Sequence, residues 1–317
     1  MHWKKLGKIF DPSDHKLPEG CFGYSQSPQA VVFDDFVRVF FSTRERDSEK
    51  TFLSHVVFVD FDKQFKNIIR VAEKPVIALG ELGTFDEHGI FPMNVMRDGN
   101  RIHAYTTGWN RKISVSADAS VGYAYSDDNG LSFVKHGHGP VLTANLDEPF
   151  LVCDAFVQKF DGKFHMWYIF GERWFFDETE KVPQRVYKIA HADSQDGINW
   201  NRNGVPIISD KIDINECQAL PTVVQWKEKY LMFFCYRHAS GFRSDPSKGY
   251  RIGCAISQDM LNWKRDDDFV KMEMKTDEWD SEMMCYPFSF KMDNEIYLLY
   301  NGNEFGKHGF GIAKLEE

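Results

Sequence analysis

Apolar and polar positions along this chain alternate in a phrase that returns five times. Each copy holds an anchor, usually proline, then an acidic or glycine turn, then an apolar strand. The first runs from Ser27-Pro28-Gln29-Ala30-Val31-Val32 through Asp34-Asp35 to Val37–Phe41. The others are Phe91-Pro92 with Asp98-Gly99 and Ile102–Tyr105, then Asp154-Ala155 with Asp161-Gly162 and Phe164–Tyr168. Leu220-Pro221 with Lys227-Glu228 and Tyr230–Phe234 follows, and Tyr286-Pro287 with Asp293-Asn294 and Ile296–Tyr300 is last. The anchors at 28, 92, 155, 221 and 287 lie roughly 65 residues apart, a little more than the ~40–50 of common propeller repeats. Two strands around a tight turn is a hairpin signature.

A second phrase keeps step with the first. Val121-Gly122-Tyr123-Ala124-Tyr125-Ser126 leads into Asp127-Asp128-Asn129-Gly130 and Phe133. Ile189–Ser194 leads into Asp196-Gly197 and Trp200, and Ile252–Ser257 into Asp259-Met260 and Trp263. Each copy is a small-residue strand, a turn, and an aromatic that opens the next strand and can fill the gap between neighbouring sheets. Two hairpins per repeat predict an all-β fold, a five-bladed β-propeller of four-stranded antiparallel blades, with residues 1–317 as one domain. The final strand, Phe310–Leu315, lacks a partner phrase, and His2–Phe10 matches that missing piece. The N-terminal strand is therefore expected to complete the last blade and close the ring, which removes free sheet edges.

Composition adjusts this picture only slightly. Aromatics make up 15% with 28 Phe, as suits large buried sheet faces. Net charge is −9, from 38 basic and 47 acidic residues, which weighs against nucleic-acid and anionic-membrane partners. The six cysteines form no CxxC pair and read as buried free thiols, so no metal site is predicted. The N-terminus lacks an apolar leader, and no run approaches the ~20 apolar residues that span a bilayer. A cytoplasmic protein without cofactor is expected, with a carbohydrate as partner.

In a propeller the first strand of each blade lines the axis, so the residues before each anchor converge at one channel mouth. Glu87, Glu216 and Glu282 each stand five positions before an anchor proline. Crowded carboxylates drive their pKa values apart, so that one serves as acid and another as base. Glycoside hydrolysis uses such a pair, about 5–5.5 Å apart for retention and about 6.5–9.5 Å for inversion. Glu87 and Glu282 are the candidate acid and base, with Glu216 and Asp154 in support. His88 is a candidate proton shuttle beside the substrate. Trp109 and Trp174 follow strand ends where they would stack on sugar rings, and Tyr286 stands at the mouth. Arg44 and Arg237 occupy matching places, suited to a carboxylate or phosphate or to pairing with the channel carboxylates. Asn301 would hydrogen-bond sugar hydroxyls. For every one of these residues a purely structural role is the competing reading.

Three segments carry a family resemblance: Gly83-Thr84-Phe85-Asp86-Glu87-His88-Gly89-Ile90, Trp279–Pro287, and Tyr300–Gly311. With them the chain resembles, along essentially its whole length, the five-bladed propeller glycosidases, the group of arabinanases, xylosidases, invertases and levansucrases. It is most similar to bacterial glycosyl hydrolase-like proteins of surface-polysaccharide gene clusters. The resemblance implies a base Asp before the first anchor, where Ser27 stands, and an acid Glu two residues before the fourth, where Ala219 stands. Only Asp154 matches the family's third carboxylate, which tunes pKa and orients substrate. The expectation is a glycoside hydrolase. A noncatalytic carbohydrate-binding propeller and a phosphate-dependent glycoside phosphorylase, with Arg44 and Arg237 as its anion site, are the alternatives. A channel cation, present in some relatives, is not predicted.

Overall fold

In the computed structural model, residues 1–49, 51–178, 180–274 and 278–317 are described. The chain is nearly all β. It opens with β1 (His2–Phe10) and continues with β2 (Cys21–Val32), β3 (Phe36–Arg46), β4 (Phe52–Asp62) and β5 (Ile68–Val71). Then come β6 (Gly89–Asp98), β7 (Arg101–Arg111), β8 (Ala117–Ser126) and β9 (Val134–Lys135), followed by β10 (Val152–Phe160), β11 (Lys163–Phe175), β12 (Gln184–Ser194) and β13 (Asn201–Arg202). The last strands are β14 (Glu216–Trp226), β15 (Lys229–His238), β16 (Arg251–Ser257), β17 (Lys264–Arg265), β18 (Cys285–Met292), β19 (Glu295–Asn301) and β20 (Phe310–Glu316).

These strands form antiparallel four-stranded sheets: β10 to β13, β14 to β17, and β18-β19-β20 with β1 outermost. The remaining sheet holds β2 to β5 and β6 to β9, two halves joined by one parallel pair, Ser54 with Gly89. The predicted N-terminal pairing is present, with β1 antiparallel to β20 and Trp3 opposite Leu315. First strands touch first strands: β2 meets β6 and β18, and β10 meets β6 and β14. All six cysteines are free; five are buried and Cys21 is half-buried. Among the described residues no helix is long and apolar enough to cross a membrane.

The repeated turn phrase works as its composition predicts. Ser194 Oγ donates to Asp196, whose carboxylate also accepts the backbone N–H groups of Ile198 and Asn199; Ser257, Asp259, Leu261 and Asn262 repeat the arrangement. The N–H of Asn199 first, with its side chain and Ile198, holds Asp196 well below the usual carboxylate range. Gly197 turns at φ 74°, and a Cβ there would sit 2.6 Å from the Tyr105 hydroxyl, so glycine satisfies both backbone and space.

The aromatic after each turn packs edge-on against the second strand of the neighbouring sheet. Phe133 meets Phe40 at 5.5 Å, Trp200 meets Tyr105 at 5.8 Å, and Trp263 meets Trp167 at 6.2 Å. Trp3 completes the series on Phe233 at 5.0 Å. Edge-to-face pairs add about 0.5–1.5 kcal/mol each beyond the area they bury.

A second device repeats beside the first. Just before or at the start of each of four first strands lies a buried carboxylate, paired with a cation on the outermost strand of the same sheet. Asp86 pairs with Lys135, Glu148 with Arg202, Glu216 with Arg265 at 2.6 Å, and Asp280 with Lys5 at 2.7 Å. These pairs tie the outermost strands to the entrances of the first strands. Removing one partner leaves an uncompensated buried charge, so Arg265→Met is expected to cost about 3–5 kcal/mol. Urea unfolding checks this, and an unchanged midpoint would show that Arg265 does not hold the outer strand.

Candidate active site

The first strands all break register where the anchors lie. Shifts fall between Gln26 and Gln29, Ile90 and Met93, Cys153 and Phe156, Ala219 and Thr222, and Cys285 and Phe288. Ser27, Asp154, Leu220 and Tyr286, each directly before an anchor, take positive φ between 47° and 57°. Bulges of this kind re-aim side chains beside functional sites. Here they turn Phe91, Asp154, Leu220 and Tyr286 toward one cavity of about 320 Å³, within the size range of small-molecule sites.

The cavity wall is unusual for a chain of net charge −9. It carries four guanidinium groups, Arg44, Arg185, Arg237 and Arg243, against two carboxylates, Asp118 and Asp154. Asp154 is buried at 8% exposure, and its backbone N–H donates to Thr107 at 2.8 Å. Burial pushes its carboxyl up to about 7, against the pull of the Leu220 N–H, Arg185 and the Cys153 thiol. A carboxyl so placed is partly protonated at neutral pH and can deliver a proton. Asp118 is more open, 3.2 Å from Lys112 and accepting the N–H of Ala119.

The arginines fall into two groups. Arg237 donates to the Tyr187 hydroxyl at 2.8 Å and to the carbonyls of His238 and Ala239, while its buried Nε has no partner. Tyr187 and Tyr250 share a hydroxyl contact of 2.7 Å. Phe242 lies between Arg237, 3.5 Å from its ring centre, and Arg243 at 4.2 Å. Partial burial, then the charges of Arg237 and Arg185, depress the pKa of Arg243, so these three cations stand close together. Arg44 stands apart, with Tyr24 and Tyr286 as its charge neighbours.

Of the residues singled out from the sequence, Asp154, Arg44, Trp109, Arg237 and Tyr286 line this cavity. His88 stacks on Trp109 from behind at 5.9 Å, and Glu87 lies 3.0 Å from His88. Trp174 is off the wall and carries Arg185 over its ring at 5.5 Å. Asn301 is fully buried and spent on backbone, donating to Ser25 and Gly309 and accepting from Ser27. Glu216 is also saturated, by Arg265, Gln218 and the N–H groups of Lys211 and Ile212. Glu282 is exposed, and its backbone bonds to Asn303 and Arg251. The shared five-residue offset of Glu87, Glu216 and Glu282 thus does not bring them to one wall.

Asp118, Arg185 and Arg243 escaped the sequence reading. Asp118 and Arg185 open third strands, opposite Asn110 and Trp174 at the ends of second strands. Hairpin pairing puts such positions beside the strand ends already suspected, so aligning the residues before each small-residue strand would have found them. Among the described residues no cluster of three His, Cys, Asp or Glu side chains could hold a metal ion.

Ser27 and Ala219, at the places of the missing family carboxylates, are buried at 1% and 2%. Ser27 accepts from Gln29, which in turn accepts from Asn94, so this place is held by a buried polar chain rather than a carboxylate.

No family model matches the chain. It is 31% identical over the full length of both chains to Uncharacterized protein Rv1502 of Mycobacterium tuberculosis (strain ATCC 25618 / H37Rv). A stretch of 144 residues, 42% of this chain and 44% of the relative, is 26% identical to Beta-1,2-mannobiose phosphorylase of Thermoanaerobacter sp. (strain X514). A solved glycoside hydrolase superposes with TM-score 0.75 at 15% identity, covering 99% of this chain and 93% of that one. That likeness shows the fold alone, a glycoside hydrolase-like β-propeller. The full-length match places the chain in the family of Mycobacterium tuberculosis Rv1502.

Proposed function

We propose that this chain is a glycan-acting enzyme that cleaves a glycosidic bond with inorganic phosphate. Its sheets form one five-bladed propeller domain, closed by the N-terminal strand and centred on the arginine-rich cavity. One observation carries the reading: among the described residues Asp154 is the single buried carboxylate on a wall that also holds three clustered guanidinium groups. Glu216 is spent as a structural ion pair away from the wall, and among the described residues no second buried carboxylate lines the wall to activate water. Phosphate needs no such base, because it arrives as an anion and is itself the nucleophile.

In this scheme Arg185, Arg237 and Arg243 bind phosphate, with the Tyr187–Tyr250 pair fixing Arg237. Trp109 offers a face for the sugar ring, backed by His88. Asp154 protonates the glycosidic oxygen as its bond to the anomeric carbon breaks. A phosphate oxygen forms the new bond to that carbon, giving a sugar 1-phosphate and a free hydroxyl on the leaving group. The partial relative described as a phosphorylase supports the same reading.

Asp118 favours a second reading, hydrolysis with Asp118 as base, because among the described residues it is the other carboxylate on the wall. Incubation with a panel of oligosaccharides, with and without inorganic phosphate, separates the two. Product that forms only with phosphate and carries it at the anomeric carbon is expected. Free sugar formed at the same rate without phosphate would replace phosphorolysis with hydrolysis, and sugar binding without any cleavage would leave a carbohydrate-binding module.

A further inference from the structure

Arg38 and Arg44 of strand β3 both stack on aromatic rings but differ in their partners. Arg38 lies 3.9 Å over the ring of Phe58, and its fork is filled by Asp60, at 2.7 Å from Nε and 2.8 Å from Nη2. Its third nitrogen donates to the carbonyl of Asn129. Arg44 is held more tightly still, its guanidinium carbon 3.6 Å from the ring centre of Tyr24 and 4.0 Å from that of Phe52. Yet among the described residues no carboxylate pairs with it, and its buried Nε has no hydrogen-bond partner.

A guanidinium between two aromatic faces can donate only in its own plane, through its edge. The edge of Arg44 belongs to a residue that lines the cavity, on the side of Phe52, Ser54 and Trp109. Phe52 in turn packs against Trp109 at 6.1 Å, so arginine, phenylalanine and tryptophan form one continuous wall. Burial, the largest influence on Arg44, disfavours its charge; the neighbouring hydroxyls of Tyr24 and Tyr286 favour it, Tyr24 also through a side-chain hydrogen bond, which leaves the buried Nε as the unpaired donor. A half-buried cation held between two rings, with no carboxylate counter-charge among the described residues, is matched by a planar or tetrahedral anion that accepts two parallel hydrogen bonds.

We propose that Arg44 binds an anionic group of the sugar itself, so that the substrate is an acidic glycan bearing a carboxylate or a phosphate ester. This deepens the reading of the same cavity, since it leaves Arg185, Arg237 and Arg243 to inorganic phosphate. Arg44 is then a specificity residue: a sugar stacked on Trp109 places its acidic substituent at the open fork. Neutral sugars leave the fork unpaired and bind less well.

Calorimetric titration of the full chain with glucuronate, galacturonate and mannuronate, with the matching hexoses, and with their 6-phosphates tests this. At least one uronate or 6-phosphate is expected to bind about tenfold or more tightly than its neutral hexose. A uronate preference assigns the charge to a carboxylate, a 6-phosphate preference to a phosphate ester. Arg44→Gln should abolish the preference while neutral-hexose affinity stays within about twofold, and Arg44→Lys should keep part of it. Equal binding of acidic and neutral sugars by the wild type overturns the proposal, whether or not the variants fold. So does loss of both affinities together in a folded Arg44→Gln protein, which would make the arginine merely a support for Tyr24 and Phe52.

The titrations are repeated in saturating inorganic phosphate. Two separate anion sites predict that the preference persists. If phosphate displaces the acidic sugar, there is one anion site, and the proposal falls while phosphorolysis stands. If the preference persists but no phosphorolysis occurs on any acidic glycan, Arg44 keeps its role and the phosphorolytic reading falls.

Discussion

Asp154→Asn is expected to lower kcat by about 10²–10⁴-fold, the range of a lost general acid, while sugar binding survives. Asparagine keeps the shape and the hydrogen bonds but has no proton to give. The wild-type pH profile should carry the same signature. Burial holds Asp154 near 7, so the protonated, active form is depleted as pH rises through that value, and turnover should fall on the alkaline side. In Asp154→Asn that limb should vanish.

The same substitution should stabilise the fold at alkaline pH. In the unfolded chain Asp154 ionises near 3.8, whereas in the folded cavity it keeps its proton to about 7. Between these values the folded state binds more protons, so stability declines as pH rises through the window and stays reduced above it. At about 1.4 kcal/mol per pKa unit, the gain from removing the charge has a ceiling of about 4 kcal/mol at pH 8 and vanishes below pH 4. Melting temperatures of both proteins at pH 4 and pH 8 measure it. A variant that loses activity without gaining stability at pH 8 would mean that Asp154 is not held near 7. One that keeps full activity would mean that the proton comes from elsewhere.

Much of this architecture is written in local phrases. The Ser-x-Asp turns, the aromatics after them and the placement of His2–Phe10 beside β20 follow from side chains that act on their immediate neighbours or on the next sheet. The site was harder to read. Glu87, Glu216 and Glu282 share an offset of five from their anchors, but the buried carboxylates are Asp86, Glu148, Glu216 and Asp280, which stand six, seven, five and seven positions before theirs. What counting cannot reveal is the cation across the sheet. Lys135, Arg202, Arg265 and Lys5 lie between 49 and 275 residues away from these carboxylates and claim them as ion pairs. Asp154, by contrast, makes no ion pair among the described residues, feels Arg185 only as a nearby charge, and sits on a bulge. A symmetric carboxylate in a repeat protein is more readily a repeated structural part, and the asymmetric one is where chemistry should be sought.

Deleting residues 1–10 is expected to unfold the protein. The segment supplies all of β1, including Trp3 and Phe10, buried at 4% and 2%. A buried Trp or Phe cut to Ala costs about 3–5 kcal/mol. Loss of Lys5 also leaves Asp280, fully buried beside the Tyr300 hydroxyl, without its cation, for about 3–5 kcal/mol more. These losses together match the ~5–15 kcal/mol that holds an ordinary domain together, and they strip β20 of its outer neighbour, exposing an unpaired edge. Circular-dichroism melts and size-exclusion chromatography should show an unfolded or aggregated chain. If the truncated protein melts within a few degrees of the full chain, β1 is an appendage and the closed ring is wrong. The ion pair can be separated from the strand by point variants. Lys5→Met alone should destabilise strongly, while Lys5→Met with Asp280→Asn should recover much of the loss, because the second change removes the stranded charge. Recovery in the double variant but not in the truncated chain would show that pairing and aromatic burial along β1, beyond the single ion pair, keep the two ends of the chain in one sheet.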